Sequence, residues 1–101
     1  MSHSFFAIYK MPDDTAAFDE AYKGHAAIVD RFPGLKEARI NRVVKQLAGE
    51  PELYLATELV FDSIEDLQAA LGSEPGKESA TDLASWGGDK LITMLITERI
   101  N

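Results

Sequence analysis

The residues best suited to chemistry in this chain are Tyr22 and His25, which stand three positions apart in a segment with helical periodicity. Residues three or four positions apart lie on one face of a helix, and the apolar residues of this segment recur at that spacing. The face so formed contains Phe18, Ala21, Tyr22, His25, Ile28, Val29 and Phe32. The spacing therefore predicts that a phenol and an imidazole point together from a core-facing helix.

This pair of side chains has a functional and a structural interpretation. An imidazole with a pKa near neutrality can give or take a proton at physiological pH. A neighbouring phenol can donate a hydrogen bond to a carbonyl or ring oxygen. Together they suit proton transfer on a small organic acid, a lactone or a quinone-like ring. The alternative is a half-buried histidine whose ring nitrogens bond to backbone or water and hold the helix in place.

Glu58 is a carboxylate inside the apolar segment YLATELVF. In a closed cavity it would act as an acid, a base or a hydrogen-bond acceptor, with its pKa raised by burial. The alternative is an ion pair with an arginine on the neighbouring strand, such as Arg42. Glu58 therefore joins Tyr22 and His25 as a candidate catalytic residue.

The composition disfavours other kinds of site. The chain has no cysteine, which excludes disulfides, thiolate nucleophiles and zinc–thiolate sites. It has two histidines, one of them close to the first residue, and a metal site requires more ligands at short spacing. The serines fall at predicted helix caps or helix surfaces, and no glycine-rich phosphate loop is present. We therefore predict neither a metal nor another cofactor.

Charge and hydropathy disfavour two classes of partner. The net charge is −7, and the ten Lys and Arg residues do not cluster, which disfavours nucleic acid and anionic membranes. No segment approaches the ~18–20 consecutive apolar residues of a membrane span. The first residues, MSHSFFAIYK, show no basic region and no cleavage-site pattern of a signal peptide. We expect a cytoplasmic protein.

The 101 residues predict one domain over residues 1–101. Aromatic and β-branched residues predict strands at residues 4–10, 36–48, 52–61 and 89–100. A helix is expected from a cap at Asp13 or Asp14 to about residues 31–32, where a Pro-Gly pair stops it. Capping patterns predict a second helix after residues 62–63 and a short third one over residues 73–86. The order β-α-β-β-α-(α)-β predicts an α+β, ferredoxin-like fold with a four-stranded antiparallel sheet.

The predicted strands are apolar on both faces. In the first strand, Phe5, Ala7 and Tyr9 alternate with Phe6 and Ile8. Helices cover only one face of such a sheet, and a water-facing side would alternate with polar residues. A chain of this size cannot bury both faces alone, so we predict a homodimer that pairs through its sheets. The alternative is an ordinary share of apolar surface on a monomer.

Strand alternation also assigns side chains to the two faces of the sheet. With Leu55, Leu59 and Phe61 against the helices, Tyr54 and Glu58 are expected on the opposite, dimer-side face. The same alternation in the last strand predicts three side chains packed beneath the helices, namely Ile92, Met94 and Ile96.

Four segments together resemble the EthD family of dimeric α+β barrel proteins. They lie in family order and span nearly the whole chain: FFAIYK, FDEAYKGHAAIVDRFPGL, ELVFDSIEDLQAAL and SEPGKESATDLASW. The most characteristic part is Tyr-x-x-His followed by Pro-Gly-Leu. The resemblance implies a ferredoxin-like fold that pairs through its sheets into a barrel with an interior cleft.

His25 matches the family histidine. Asp82 matches a family acidic residue, and we interpret it as a local cap or pair.

The resemblance implies a small organic ligand, because relatives in the superfamily include isomerases, cyclases, cofactor-independent monooxygenases and haem enzymes. Our first hypothesis is a cofactor-independent isomerase, cyclase or oxygenase of a ring, ether or quinone-like compound. Tyr9, Tyr54 and Trp86 are the expected ligand-binding residues, although Trp86 is alternatively a core residue. The second hypothesis is a non-catalytic binding or accessory protein in a degradation pathway. A third is a dimer whose interior is filled by large side chains such as Phe5.

Overall fold

A computed structural model describes residues 2–101 of the chain. Its elements are β1 (His3–Lys10), α1 (Thr15–Val29), β2 (Glu37–Arg42), β3 (Leu53–Phe61), α2 (Ile64–Leu71), α3 (Glu74–Ser85), a 3₁₀ turn (Gly88–Lys90) and β4 (Ile92–Glu98). The four strands form one antiparallel sheet in the order β2-β3-β1-β4. This confirms the α+β, ferredoxin-like fold. No helix within residues 2–101 combines the length and the apolar character needed to cross a membrane.

Side-chain caps start the three helices close to the predicted positions. Asp14 Oδ1 accepts a hydrogen bond from the Ala17 amide at 3.1 Å, so Asp14, and not Asp13, caps α1. Ser63 caps α2 and Ser73 caps α3 by accepting from backbone amides three residues on. Each cap gives a partner to an amide that the first helical turn leaves unpaired. Gly87 follows α3 with a φ of 81°, a conformation that favours glycine and ends the helix.

Two predicted strands are shorter in the structure. The prediction that β2 runs over residues 36–48 is wrong beyond Arg42, because residues 43–52 form a loop. The Gln46 side chain organises this loop, donating to the carbonyls of Gly49 and Pro51 and accepting from the Leu53 amide. These side-chain bonds replace ladder bonds and stop the strand. β4 begins at Ile92 because the 3₁₀ turn occupies the residues just before it.

Two buried clusters fill the space between the sheet and the helices. The first contains Ala7, Tyr9, Phe18, Tyr54, Leu55 and Leu83, and the second contains Phe32, Leu59, Phe61, Leu67 and Ala70. Leu55, Leu59 and Phe61 therefore face the helices as predicted. α1 and α3 also contact each other, and an ion pair of 2.7 Å between Arg31 and Glu78 joins the end of α1 to α3. The clusters fix these two helices over the central strands.

The predicted placement of Tyr54 on the outer face is wrong. The register pairs Tyr9 with Leu55 but Lys10 with Leu53, so Tyr54 is the extra residue of a β-bulge. A bulge lets two consecutive side chains point to the same side of a sheet. Tyr54 is buried against Phe18 of α1, with ring centroids 5.3 Å apart. Simple alternation fails here because it counts every residue of the strand as paired.

The predicted side of the sheet is correct for Ile92, Met94 and Ile96 of β4, but the helices cover only the first of them. Ile92 packs against the first cluster, on the helix side of the sheet. Met94 and Ile96 share that side by register but remain exposed. β4 is an edge strand, and the helices do not extend over its second half. One edge of the sheet is thus apolar and uncovered in the single chain.

Candidate active site

A cavity of about 350 Å³ lies between the sheet and the helices α1 and α3. Most of its wall is apolar, with polar atoms contributed by a few side chains. The polar side chains of its lining are those of Tyr9, Tyr22, His25, Thr57, Ser79 and Asp89. Its size falls within the ordinary range for small-molecule sites. In the single chain, large side chains such as Phe5 line this space and do not fill it.

Tyr9, Tyr22 and His25 form a continuous row of rings along the cavity. The Tyr9 and Tyr22 rings meet edge to face with centroids 5.6 Å apart, and the Tyr22 and His25 centroids are 5.7 Å apart. Tyr22 and His25 are neighbours because they stand three positions apart on α1, as predicted. Tyr9 reaches the same row from the central strand β1. The structure brings together three of the side chains singled out from the sequence.

His25 is held by a carboxylate on the neighbouring helix. Its side chain is almost fully buried, with 7% of the residue exposed. His25 Nδ1 lies 3.2 Å from Asp82 Oδ2, and the Trp86 indole Nε1–H donates to the same oxygen at 3.1 Å. Within residues 2–101 no hydrogen bond is made to His25 Nε2. Nε2 is therefore the ring nitrogen left for a molecule in the cavity.

The environment of His25 favours the neutral imidazole. Burial lowers the pKa of His25 below its ordinary value, because desolvation disfavours the charged ring. The hydrogen bond and charge of Asp82 act in the opposite direction and only partly offset this effect. A neutral imidazole near pH 7 can accept a proton, which is the state required of a general base.

Tyr22 is bonded across the cavity to the sheet. Its hydroxyl lies 2.5 Å from Thr57 Oγ1 on β3. Burial raises the pKa of Tyr22, although the bond to Thr57 lowers it in part. The two hydroxyls contain two protons, and one of them lies between the oxygens. The other proton is available to an acceptor in the cavity.

Tyr9 places a second phenol in the cavity. Only 1% of the residue is exposed, and burial together with Tyr22 and Asp82 raises the pKa of its phenol. Among the described residues, no group forms a hydrogen bond with the Tyr9 hydroxyl. A buried phenol usually has a partner. Tyr9 is thus an available donor in an otherwise apolar cavity.

Glu58 lies on the other face of the sheet, away from the cavity. Ser4 Oγ donates to Glu58 Oε2 at 2.7 Å, and Arg39 Nη1 lies 3.1 Å from Oε1. The ion-pair interpretation fits, with Arg39 and not Arg42 as the partner. The register explains this, because Arg39 is paired with Glu58 while Arg42 is paired with Leu55 on the helix side. Nothing in this arrangement brings Glu58 near His25.

Tyr54 and Trp86 stand beside the cavity and not in its wall. The Tyr54 hydroxyl donates to Asp19 Oδ1 at 2.8 Å, and Arg42 lies over its ring. The Trp86 ring lies edge-on to His25, with centroids 6.2 Å apart. Tyr54 therefore has a structural partner already, and Trp86 contacts the site through the histidine and its carboxylate.

Thr57 is a site residue that the sequence did not single out. It lies on the helix side of β3, between Leu55 and Leu59, where an apolar residue is expected. The sequence could have indicated Thr57, because a polar residue at an inward-facing position of a buried strand is unusual. Asp82 was named, but its partner His25 is 57 positions away and no spacing rule predicts that contact.

The cavity has no cationic side chain among its lining residues, and its acidic member is Asp89. Within residues 2–101, no three His, Asp or Glu side chains are grouped so as to hold a metal ion. The site therefore offers hydroxyls and one imidazole to a ligand, within an apolar wall.

Comparison with solved structures identifies the family. A crystal structure of an ethyl tert-butyl ether D (EthD) family protein from Bacillus halodurans is 37% identical in sequence, with a TM-score of 0.89. The similarity covers 99% of this chain and 100% of that one. The chain belongs to the EthD family. A search against protein-family models finds no match.

Other relatives of this EthD family member are more distant or themselves uncharacterised. An uncharacterised 11.0 kDa protein of Rhodococcus erythropolis, from the thcB–thcC intergenic region, is 30% identical over 92 residues, or 90% of this chain and 88% of that protein. A dimeric ferredoxin-like protein of unknown function from Jannaschia is 17% identical, with a TM-score of 0.77 and 98% and 100% of the two chains covered. SnoaB, a cofactor-independent oxygenase of Streptomyces nogalater, is 18% identical, with a TM-score of 0.66 and 99% and 95% covered. The last two share the fold.

Proposed function

We propose that this EthD family protein binds an uncharged, largely apolar molecule in its cavity and that His25 removes a proton from it. The observation that carries the proposal is the burial of His25 and the hydrogen bonding of its two ring nitrogens. It is buried at the cavity wall, Nδ1 is bonded to Asp82, and Nε2 has no partner among the described residues. A neutral imidazole whose free nitrogen borders an apolar cavity is suited to general-base catalysis.

The hydroxyls supply the second half of the chemistry. Removing a proton from a carbon next to a carbonyl places negative charge on the carbonyl oxygen. Tyr9 and the Tyr22–Thr57 pair each have a hydroxyl proton to donate to such an oxygen. Donors placed in a water-poor cavity stabilise developing charge more strongly than they would in water. Return of the proton from His25 to another carbon of the anion completes an isomerisation. In a cyclisation, the carbanion instead bonds to a second carbonyl carbon of the same molecule, the π electrons of that carbonyl move to its oxygen, and that oxygen takes the proton from His25. With dioxygen as co-substrate, the carbanion forms a C–O bond and the resulting peroxide anion takes the proton, which would be an oxygenase reaction.

The charge of the site favours neutral ligands. No Lys or Arg lines the cavity, and its lining includes Asp89. The chain carries a net charge of −7. A carboxylate or phosphate ester would lose its water in this cavity without gaining a cation, which is costly. The cavity thus favours a lactone, ketone or quinone-like ring over the anion of an organic acid.

Solvent deuterium exchange tests the proposal without knowledge of the natural substrate. The probe is 2-tetralone, a neutral ring ketone with exchangeable protons beside its carbonyl, followed by ¹H NMR in D₂O. We expect the protein to accelerate exchange above an equal concentration of imidazole. His25→Gln should lose about 10²–10⁴-fold of this rate, the usual contribution of a general base. His3→Gln is the matched control, because His3 is the other histidine of the chain and lies on β1, with Glu98 3.8 Å away.

Two outcomes would contradict the proposal. One is exchange no faster than with imidazole, and the other is unchanged exchange in His25→Gln. Saturable binding of 2-tetralone with no exchange would instead support the non-catalytic hypothesis of a binding or accessory protein.

We also propose that the chain forms a homodimer through the outer face of its sheet. That face presents Phe6, Ile8, Val60 and Leu95 by register, and no helix covers it. An uncovered apolar sheet face is typical of an interface. The dimeric state of the Jannaschia protein, which has the same fold, supports the proposal.

A further inference from the structure

We infer that Asp82 is a positioning residue for His25, holding the proton on Nδ1 so that Nε2 stays unprotonated toward the cavity, and that Trp86 holds Asp82. This inference rests on the proposed function, since it concerns the base of that same site. It assigns a shared task to two residues that lie on or just after α3 and outside the cavity wall.

The hydrogen-bond chemistry of the three side chains determines the direction of each bond. An ionised carboxylate oxygen only accepts, and an indole N–H only donates. Asp82 Oδ2 accepts from Trp86 Nε1 at 3.1 Å, and the same oxygen lies 3.2 Å from His25 Nδ1. The bond to His25 therefore requires a proton on Nδ1. In the neutral ring that leaves Nε2 as the acceptor.

Trp86 is itself fixed by close packing. Its ring meets Phe18 edge-on at a centroid distance of 5.4 Å, and it lies four residues after Asp82. Gly88 lies against the ring, because a Cβ atom built there would come within 2.7 Å of Trp86. The indole therefore has little room to turn away from the carboxylate. Asp82 is thus held from one side by Trp86 and contacts His25 on the other.

The other titratable groups around His25 do not compete for this role. Tyr22 on the same helix and Tyr9 on β1 both have raised pKa values and stay protonated near neutral pH. Asp89, after α3, also lines the cavity but forms no hydrogen bond with His25. Asp82 is the group that the structure bonds to the ring.

The test is the tautomer of His25, read from ¹⁵N chemical shifts of the ligand-free protein with labelled histidine. His3→Gln assigns the two histidine signals, because the chain has two histidines. We expect the wild-type ring to be protonated at Nδ1. Asp82→Asn and Asp82→Ala should shift the population toward the Nε2–H form, since neither leaves a carboxylate on Nδ1. They should also lower the pKa of His25, because the carboxylate raises it.

The matched control is Glu78→Gln, which removes the same charge one turn earlier on α3. Glu78 is exposed and paired with Arg31, so the His25 tautomer should not change. A wild-type ring protonated at Nε2 would overturn the inference without any variant. An unchanged tautomer in both Asp82 variants would also overturn it.

The exchange assay separates this inference from the proposed function. If both hold, Asp82→Asn should lose at least about 10-fold of the exchange rate, because a ring in the wrong tautomer is a poor base. If the tautomer shifts in the Asp82 variants but no exchange occurs even in wild type, the proposed function fails and the positioning role stands. If exchange requires His25 while the tautomer does not depend on Asp82, the positioning role fails alone.

Discussion

At the scale of the residue, opposing effects on one imidazole determine what the site can do. Burial of His25 lowers its pKa, and Asp82 raises it by a smaller amount. A more exposed histidine would be partly charged near neutral pH. A stronger contact with the carboxylate would raise the pKa further and leave a smaller fraction of the ring neutral. The balance here gives a neutral ring in contact with a carboxylate. In the proposed reaction, this arrangement would stabilise the charged ring that forms when His25 accepts a proton.

The lowered pKa predicts a pH-dependent contribution of His25 to stability. Its pKa in the unfolded chain is about 6.5, and the folded value is lower. The unfolded state therefore binds a proton first as the pH falls, which favours unfolding. The contribution of His25 is fully present above about pH 6.5 and is lost as the pH falls through the folded pKa.

Urea denaturation of wild type and His25→Gln between about pH 5 and about pH 8 measures this contribution. We expect the difference in unfolding free energy, wild type minus variant, to fall as the medium becomes more acidic. Groups that do not contact His25 are the same in both proteins, so their contributions cancel in the difference. A difference that grows toward acid pH would contradict the lowered pKa.

Sequence spacing could predict part of this site. Tyr22 and His25 meet because they are neighbours on one helix, and Tyr9 follows from strand alternation. Tyr54 could not be placed, since its face depends on a bulge that neither the pattern nor the composition marks. The contact of Asp82 with His25 could not be predicted either, because it depends on how two helices pack 57 positions apart.

At the scale of the element, the junction of α2 and α3 depends on one glycine. Gly76 lies in the first turn of α3, and a Cβ atom there would overlap the backbone oxygens of Ala70 and Leu71. α3 thus starts in direct contact with the end of α2. α3 carries Leu83, which lines the cavity, and Asp82, which contacts His25, so this contact between helices helps to place both.

Gly76→Ala should therefore destabilise the protein by about 1–3 kcal/mol, the usual cost of forcing extra atoms into a packed region. Gly24→Ala is the matched control, because Gly24 lies within α1 with open space around it. The same substitution there should stabilise by roughly 0.5–1 kcal/mol, since alanine favours a helix interior. Denaturant unfolding of both variants measures the effects. Equal shifts of the same sign would show that contact at Gly76 is not the cause.

The order and class of the elements were predictable, because they depend on local patterns of caps, turns and alternation. The end of β2 was not. Val43 and Val44 continue its β-branched pattern, but Gln46 bonds to the loop backbone and ends the ladder. A side chain that competes for backbone groups in this way is invisible to hydrophobic periodicity.

Across the molecule, the sheet separates the cavity from the apolar outer face. The helix side holds the cavity, and the outer side holds apolar residues around the Ser4–Glu58–Arg39 contact. Glu58, expected as a catalytic residue, thus lies on the face proposed to be the interface. Alternation along the strands predicted this separation, and the dimer proposal follows from it.

The homodimer predicts a specific effect of charge on the outer face. Leu95 is 41% exposed in the single chain and pairs with Phe6 on that face. Leu95→Lys would place a charge where the proposal requires an apolar contact, and burying an unpaired charge is costly. Ile40→Lys is the matched control, because Ile40 is 48% exposed but lies on the helix side of β2.

Light scattering after size exclusion should give wild type and Ile40→Lys at twice the 11.1 kDa chain mass. Leu95→Lys should shift toward the single-chain mass. A wild-type monomer would refute the dimer, and a Leu95→Lys dimer as stable as wild type would place the interface elsewhere.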